Sequence, residues 1–340
     1  MLRHASLAAL ALFACSLTPA AAGSQSPDDM PLLSQVLAAP SAISYTGVVE
    51  IVRTAGGATT TSMYRVEHRA PGLTRRTYSS PPQFLGDSEI VKGNVTFSID
   101  PKSHRIVTTR SDPALTAGPA LRDREALIRA NYRAASRGNG TFGGRPTIDA
   151  LLINKRTNRP AMFVRVDRET KIVLDKQEFD AGGAVISETR LEQVRYVPVS
   201  MAAFDLPKGY SVVPPQQVNG SSNDPDDVVR NSGFAARKPA LPDGFSPIDG
   251  ALVELHGTRT VQLLYSDGIR TVSLFETATA VTPNMAPLHP DALDVGGHTA
   301  QYAEDGAVAL LTWNDGTLYY TLAGQLGKAE LQRIATAITP

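Results

Sequence analysis

Thr147–Tyr196 reads TIDALLINKRTNRPAMFVRVDRETKIVLDKQEFDAGGAVISETRLEQVRY, and the way it is punctuated decides the fold class. Thr147 to Lys155, Ala161 to Asp167, Ile172 to Phe179 and Ala184 to Tyr196 are rich in β-branched and aromatic residues. They are separated by Asn158-Arg159-Pro160, Arg168-Glu169-Thr170 and Asp180-Ala181-Gly182-Gly183, all turn-forming combinations. Strands joined by such short connections predict a four-stranded antiparallel meander.

Upstream the same texture continues. A helix-compatible stretch, Met30 to Ala39, precedes Ser44–Arg53, a strand with β-branched residues on both faces. Ala55-Gly56-Gly57-Ala58 turns the chain into Ser62–Arg69, and strand-like segments follow at Leu73–Ser79, Asn94–Ile99 and His104–Thr109. Many short strands at this spacing predict an antiparallel sheet or an open barrel. One helix interrupts them, with Asp123 as N-cap and Leu127, Ile128, Tyr132 and Ala135 at helical spacing until Gly138 stops the run.

Downstream, Leu206–Asp227 carries Pro207, Gly209, Pro214, Pro215, Gly220 and Pro225 among Asn, Ser and Asp, a composition that buries little. It reads as a linker over 206–238. Past it, strands are expected at Val253–Leu255, Val261–Tyr265, Thr271–Glu276, Thr299–Tyr302, Val308–Trp313 and Leu318–Gly324. The closing helix, Lys328–Ile338, puts Leu331, Ile334, Ala335 and Ile338 on one face, suited to packing on a sheet. The division expected is a β domain over 30–205 and a small α+β domain over 239–340.

At the other end, Arg3 and His4 precede an apolar run, Ala5 to Cys15, too short to span a bilayer. With Thr18-Pro19-Ala20-Ala21-Ala22-Gly23 it reads as a signal peptide over 1–22, cleaved after Ala22. Cys15, the sole cysteine, follows Leu12-Phe13-Ala14; lipidation there is the alternative to simple cleavage, but Phe13 fits a lipobox poorly. The mature chain can form no internal disulfide.

Lys plus Arg and Asp plus Glu both total 33, so nothing in the charge favours a nucleic-acid partner. Gly138-Asn139-Gly140-Thr141-Phe142-Gly143 has the letters of a dinucleotide fingerprint, but it follows a helix and precedes a strand, the reverse of the order that puts a helix dipole on a pyrophosphate. His4, His68, His104, His256, His289 and His298 show no metal spacing and are expected at surfaces or in loops. Asp224, Asp226 and Asp227 lack the Gly and distal Glu of a calcium loop. No nucleophile elbow or paired carboxylates stand out, so the chain reads as a non-enzyme with no metal and no cofactor. The interior of the first sheet is open to two readings, a closed core or a ligand cavity. Tyr45, Gly47, Val49 and Ile51 share one strand face, but periodicity does not say which of Met63, Val66, Phe97, Ile99, Phe163 or Val166 lie beside them.

Asn131-Tyr132, Gly144-Arg145-Pro146, Val166-Asp167-Arg168-Glu169-Thr170 and Phe179-Asp180-Ala181-Gly182-Gly183, in that order, resemble the N-terminal domain of the RseB/MucB regulators of envelope-stress sigma factors, relatives of the lipoprotein carriers LolA and LolB. Leu241-Pro242-Asp243-Gly244-Phe245 and Leu264-Tyr265-Ser266-Asp267-Gly268-Ile269 resemble the opening of that family's second domain. The resemblance implies an α+β protein whose N-terminal part is an open antiparallel β-barrel with helices in its concavity, an acyl-chain site, followed by the small C-terminal α+β domain. It favours the cavity over the closed core, with Tyr45, Val49, Ile51, Phe97 and Phe163 as candidate ligand-binding residues. It also implies residence in the periplasm or cell envelope, an acyl-chain lipid or lipoprotein ligand, and a second partner, the periplasmic domain of an anti-sigma factor. The alternative is a LolA-like carrier of lipid or lipoprotein without a regulatory partner. Leu311-Thr312-Trp313-Asn314-Asp315-Gly316 with Tyr319, Tyr320 and Leu322 departs from the family and is similar to a domain of other envelope proteins tied to sigma-factor control.

Overall fold

The computed structural model describes residues 30–55, 58–93, 95–110, 119–180, 182–213, 224–255, 257–280, 290–304, 308–324 and 326–339. The signal-peptide and lipidation expectations lie outside these residues, as do His4, His256 and His289. Among the described residues, no helix is long and apolar enough to cross a membrane.

The first sheet begins with β1 (Tyr45–Ala55), β2 (Ala58–Arg69), β3 (Leu73–Ser80), β4 (Ser88–Lys92), β5 (Val95–Asp100) and β6 (Arg105–Arg110). It continues with β7 (Tyr132–Phe142), β8 (Arg145–Asn154), β9 (Pro160–Asp167), β10 (Val173–Phe179) and β11 (Val185–Arg195), and ends with the short β12 (Ser211–Val213). The twelve strands run in the order β12-β6-β5-β4-β3-β2-β1-β11-β10-β9-β8-β7. The meander over Thr147–Tyr196 is therefore β8 to β11, and β1 joins it to the upstream strands by pairing with β11. The expected open barrel is one large open sheet that is not closed on itself. It is antiparallel except where β12 adds parallel to β6.

Two helices accompany this sheet, α1 (Met30–Ala42) and α2 (Pro119–Asn131). The second corrects the sequence reading, since the helix expected to run from Asp123 to Gly138 starts at Pro119 and ends at Asn131. Tyr132 opens β7 instead, opposite Asn154, and the glycine-rich stretch lies in β7 and its hairpin turn. The backbone carbonyl of Asn131 accepts from the Lys155 N–H at 2.8 Å, so the strand pairing takes over where the helix stops. Local spacing lost to a non-local ladder.

The second sheet has seven strands, β13 (Ser246–Leu255), β14 (Thr258–Ser266), β15 (Thr271–Thr277), β16 (Asp291–Val295), β17 (His298–Glu304), β18 (Ala309–Asn314) and β19 (Tyr319–Gly324). Their order is β13-β14-β15-β19-β18-β17-β16. β16 falls in a stretch whose Pro and Gly content reads as a loop. The stretch read as a linker is folded where it is described: besides β12 it forms α3 (Pro225–Arg230), whose Val228 is buried against the second sheet. Asp224 caps that helix, its carboxylate accepting from the Asp226 and Asp227 N–H groups. The last helix, α4 (Lys328–Ile338), buries Leu331, Ile334 and Ala335 in one cluster with Val228, Leu263, Leu274, Leu311 and Leu322.

Candidate functional site: an apolar cavity under two helices

Directly opposed residues on neighbouring strands share a face. Ala150, Val164, Lys176, Thr189 and Ile51 follow one another across β8, β9, β10, β11 and β1, and Ala134, Leu152 and Met162 form the next row. On the other face run Asp149, Arg165, Asp175, Arg190 and Glu50. There Arg165 bridges Asp149 at 3.5 Å and Asp175 at 2.8 Å, and Arg190 pairs with Glu50 and Glu188. The charged ladder commits one face, and the apolar residues of the same strands turn to the other.

That apolar face carries α1 and α2. Leu32, Leu33, Val36 and Leu37 of α1 and Arg124 and Ile128 of α2 roof a cavity of about 280 Å³. Its floor is Ala134, Ala150, Leu152, Met162, Val164, Val166, Val173, Thr189 and Leu191, with Lys176 among them. The two charged groups in the wall are engaged: Arg124 Nε donates to the Gly268 carbonyl at 3.1 Å, and Lys176 pairs with Glu178 at 2.6 Å. A half-open cavity lined in this way accepts hydrocarbon and offers little to a polar solute.

The roof is fastened at defined points. His68, expected at a surface, is 5% exposed, and its Nε2 lies 2.6 Å from the Pro40 carbonyl of α1 while Nδ1 lies 2.8 Å from Thr74 Oγ1. A carbonyl only accepts, so Nε2 carries the proton and Nδ1 accepts from the threonine hydroxyl. Burial pushes the imidazole pKa down, only partly offset by the Pro40 bond, which keeps this neutral tautomer. Farther along α1, Ser34 donates to Glu125 of α2 at 2.7 Å, and Arg129 reaches both.

One wall residue, Ile269, comes from the second sheet. It sits in the β14–β15 turn, where Asp267 is fully buried. Its carboxylate accepts from the Tyr132 hydroxyl at 2.6 Å, from the Ile269 and Arg270 N–H groups and from the Arg270 guanidinium. Asn131 Nδ2 donates to the Gly244 and Asp267 carbonyls, both at 3.0 Å. Burial and then the Asp267 charge raise the Tyr132 pKa, so the phenol stays a donor. Burial works against the Arg270 charge, but Asp267 and Glu330 outweigh it and hold the pKa above the usual arginine range. Asn131-Tyr132 and Ser266-Asp267-Gly268-Ile269, far apart in the chain, are thus two halves of one joint between the sheets.

Solved structures share this architecture. The complex of MucA and MucB from Pseudomonas aeruginosa aligns over 92% of this chain and 98% of the matched chain, with TM-score 0.61 and 16% identity. A crystal structure of MucB aligns over 90% of this chain and 96% of the other, with TM-score 0.55 and 14% identity. The fold is MucB-like. Residues 239–338, from the segment before β13 through α4, match the family model described as a domain of unknown function, DUF4367. No curated protein matches the chain.

On this MucB-like frame the five residues named from the sequence fall in three places, and none lines the cavity described. Val49 and Ile51 are the cross-strand partners of the wall residues Leu191 and Thr189, on the cavity's face but one strand beyond it. Tyr45 shares their face and packs at a tilt against His68, ring centroids 4.9 Å apart, in the cluster of Val49, Val66 and Leu191. Phe97 lies on the opposite face, in the row Phe97, Ile90, Arg75, Glu67 and Thr46, and packs with Ile90, Ile106, Val199 and Phe204. Phe163 shares the charged face with Arg165, whose guanidinium sits 5.1 Å from its ring centroid. Missed were the α1 residues and Ile269. The apolar stripe Leu32, Leu33, Val36, Leu37 was visible at helical spacing, whereas Ile269 carried no signal before the two sheets were placed together.

Proposed function

We propose that this chain is an exported, non-catalytic envelope-stress regulator that takes an acyl chain, from a lipid or a lipoprotein, into the cavity under α1 and α2 and binds the exported domain of an anti-sigma factor. The observation that carries the ligand half is the wall itself, aliphatic on the sheet side and on the helix side with its two cations already engaged. The partner half is supported by the RseB/MucB resemblance and by a MucB-like architecture found in a complex of MucB with MucA. Residence in the periplasm or cell envelope follows from the same resemblance and the N-terminal sequence.

A carrier acting through its first sheet alone is the competing reading. Ile269 speaks against it, because the second sheet supplies part of the cavity wall. Native mass spectrometry with lipid extraction, on protein purified from its own envelope, tests the ligand. A co-purifying acyl chain is expected, and a clean apo protein that also fails to take up palmitate would overturn the reading. Capture of a co-encoded anti-sigma factor's exported domain tests the partner, and failure to retain any such domain would remove the regulatory role.

A further inference from the structure

We propose that the 267–270 turn is the element through which the second sheet senses the cavity, and that an acyl chain competes with the seated form of this turn. The inference rests on the acyl-ligand reading and adds its regulation. Ile269 stands in the cavity wall, and two residues earlier Asp267 anchors Tyr132. Between them Gly268 lies so close to α2 that a Cβ there would be 2.6 Å from the Ile128 nitrogen, while its carbonyl accepts from Arg124. Ile128 and Arg124 are themselves wall residues. The wall and the joint are one short piece of backbone, so displacing Ile269 disturbs the Asp267 contacts.

Competition follows from size and from what holds each wall. At about 280 Å³ the cavity lies just below the roughly 300–1,000 Å³ usual for ligand pockets, so a long acyl chain is taken in whole only if a wall yields. The floor strands are locked by ladder hydrogen bonds, and α1 is fastened at His68 and Ser34. The turn closes on itself through the Asp267 N–H to Arg270 carbonyl bond, and side-chain and loop contacts alone seat it on the first sheet. It can therefore leave the first sheet as a unit together with α4, to which Arg270 is tied through Glu330. Because linkage is reciprocal, any change that loosens the joint must tighten the ligand.

The test uses the full chain, dansyl-undecanoic acid as the fluorescent probe and palmitate as its competitor. In Tyr132→Phe, palmitate is expected to bind roughly threefold to fivefold more tightly, the equilibrium equivalent of one hydrogen bond. Asn131→Ala serves as the second variant should the first misfold, and the direction is the same. In the wild type, palmitate should speed amide exchange at 267–270 while the β8–β9 ladder stays protected. Binding with unchanged exchange in the turn and unchanged affinity in both variants would overturn the coupling and leave the ligand reading standing. Slower exchange in the turn on binding would overturn the competition. Failure of the wild type to bind either probe would bring down the ligand reading and the coupling with it.

Discussion

The Tyr132 hydroxyl donates to the Asp267 carboxylate at 2.6 Å across the boundary between the two sheets, and neither residue is exposed to solvent. At the centre of the joint is this buried, fully hydrogen-bonded acid. Removing one partner from such a group is more costly than the net worth of the bond, because the other partner remains buried and unmatched.

Asp267→Ala is therefore expected to cost about 3 kcal/mol, since it strips the largely buried Arg270 of one of its two counter-charges, leaving Glu330, and the Tyr132 hydroxyl of its acceptor. Tyr132→Phe should cost about 1–2 kcal/mol. Urea unfolding followed by the sole tryptophan, Trp313, reads both, as that residue is buried in the second sheet. The double variant should lose less than the sum of the two. Strict additivity would mean that the two groups do not interact.

Gly268 makes the second prediction. Its φ is +100°, and a Cβ would also meet Ile128 Cγ1 at 2.8 Å. Gly316 has a similar φ of +91° with nothing within 4 Å of the added atom, so it isolates the backbone strain from the clash. Gly316→Ala is expected to cost about 1–3 kcal/mol and Gly268→Ala more, by the roughly 1–3 kcal/mol of an overpacked contact. Equal thermal shifts in the two variants would mean that α2 does not press on the turn.

How much of this was legible is clearest in the meander. Its turns and strands were readable because Asp, Asn, Gly and Pro fall where the chain must reverse, and each strand is long enough to show its period. Which face holds the cavity was also written in the sequence, in the charges. Asp149, Arg165, Asp175 and Arg190 alternate against Ala150, Val164 and Leu191, but the alternation becomes a face only when the register is known. Phe163, a candidate from the sequence, shares parity with Arg165 and so faces away from the cavity. Tyr132 and Ala135 extended a helical spacing by chance, and pairing with β8 overrode it. The contribution of Ile269 could not be read at all, because it depends on how the two sheets meet.

The fastening of α1 yields a third prediction. His68 is held neutral by burial, so its folded pKa lies below the ordinary 6.5. A depressed value means that the stability it contributes is complete above 6.5 and is lost as pH falls through the folded pKa. The roof should loosen on acidification, and a fluorophore attached through Gln35→Cys, at an exposed position of α1, should report greater mobility below that point. His68→Ala, which loses the bonds to Pro40 and Thr74, should cost about 1–2 kcal/mol and show no such transition. A transition that persists in this variant would place the titrating group elsewhere.

The opposite dependence is expected at the far end of the second sheet. Glu276 on β15 is fully buried; its Oε2 accepts from the Arg237 N–H at 2.7 Å, and among the described residues its Oε1 has no hydrogen-bond partner. The groups that face it are Arg237, Asp315, Tyr265 and Tyr320. Burial pushes its pKa from 4.5 to about 7, with Asp315 adding to the rise and Arg237 opposing it. An acid whose folded pKa is raised holds its proton more tightly when folded, so stability falls as pH climbs from 4.5 to about 7 and then levels off. Over that span the loss amounts to about 3 kcal/mol. Glu276→Gln keeps the shape and cannot ionise, so it should flatten this part of the stability profile and leave the variant more stable than the wild type above neutrality. Denaturation at several pH values, followed through Trp313, decides the matter, and a wild-type slope retained in Glu276→Gln would show that another group carries it.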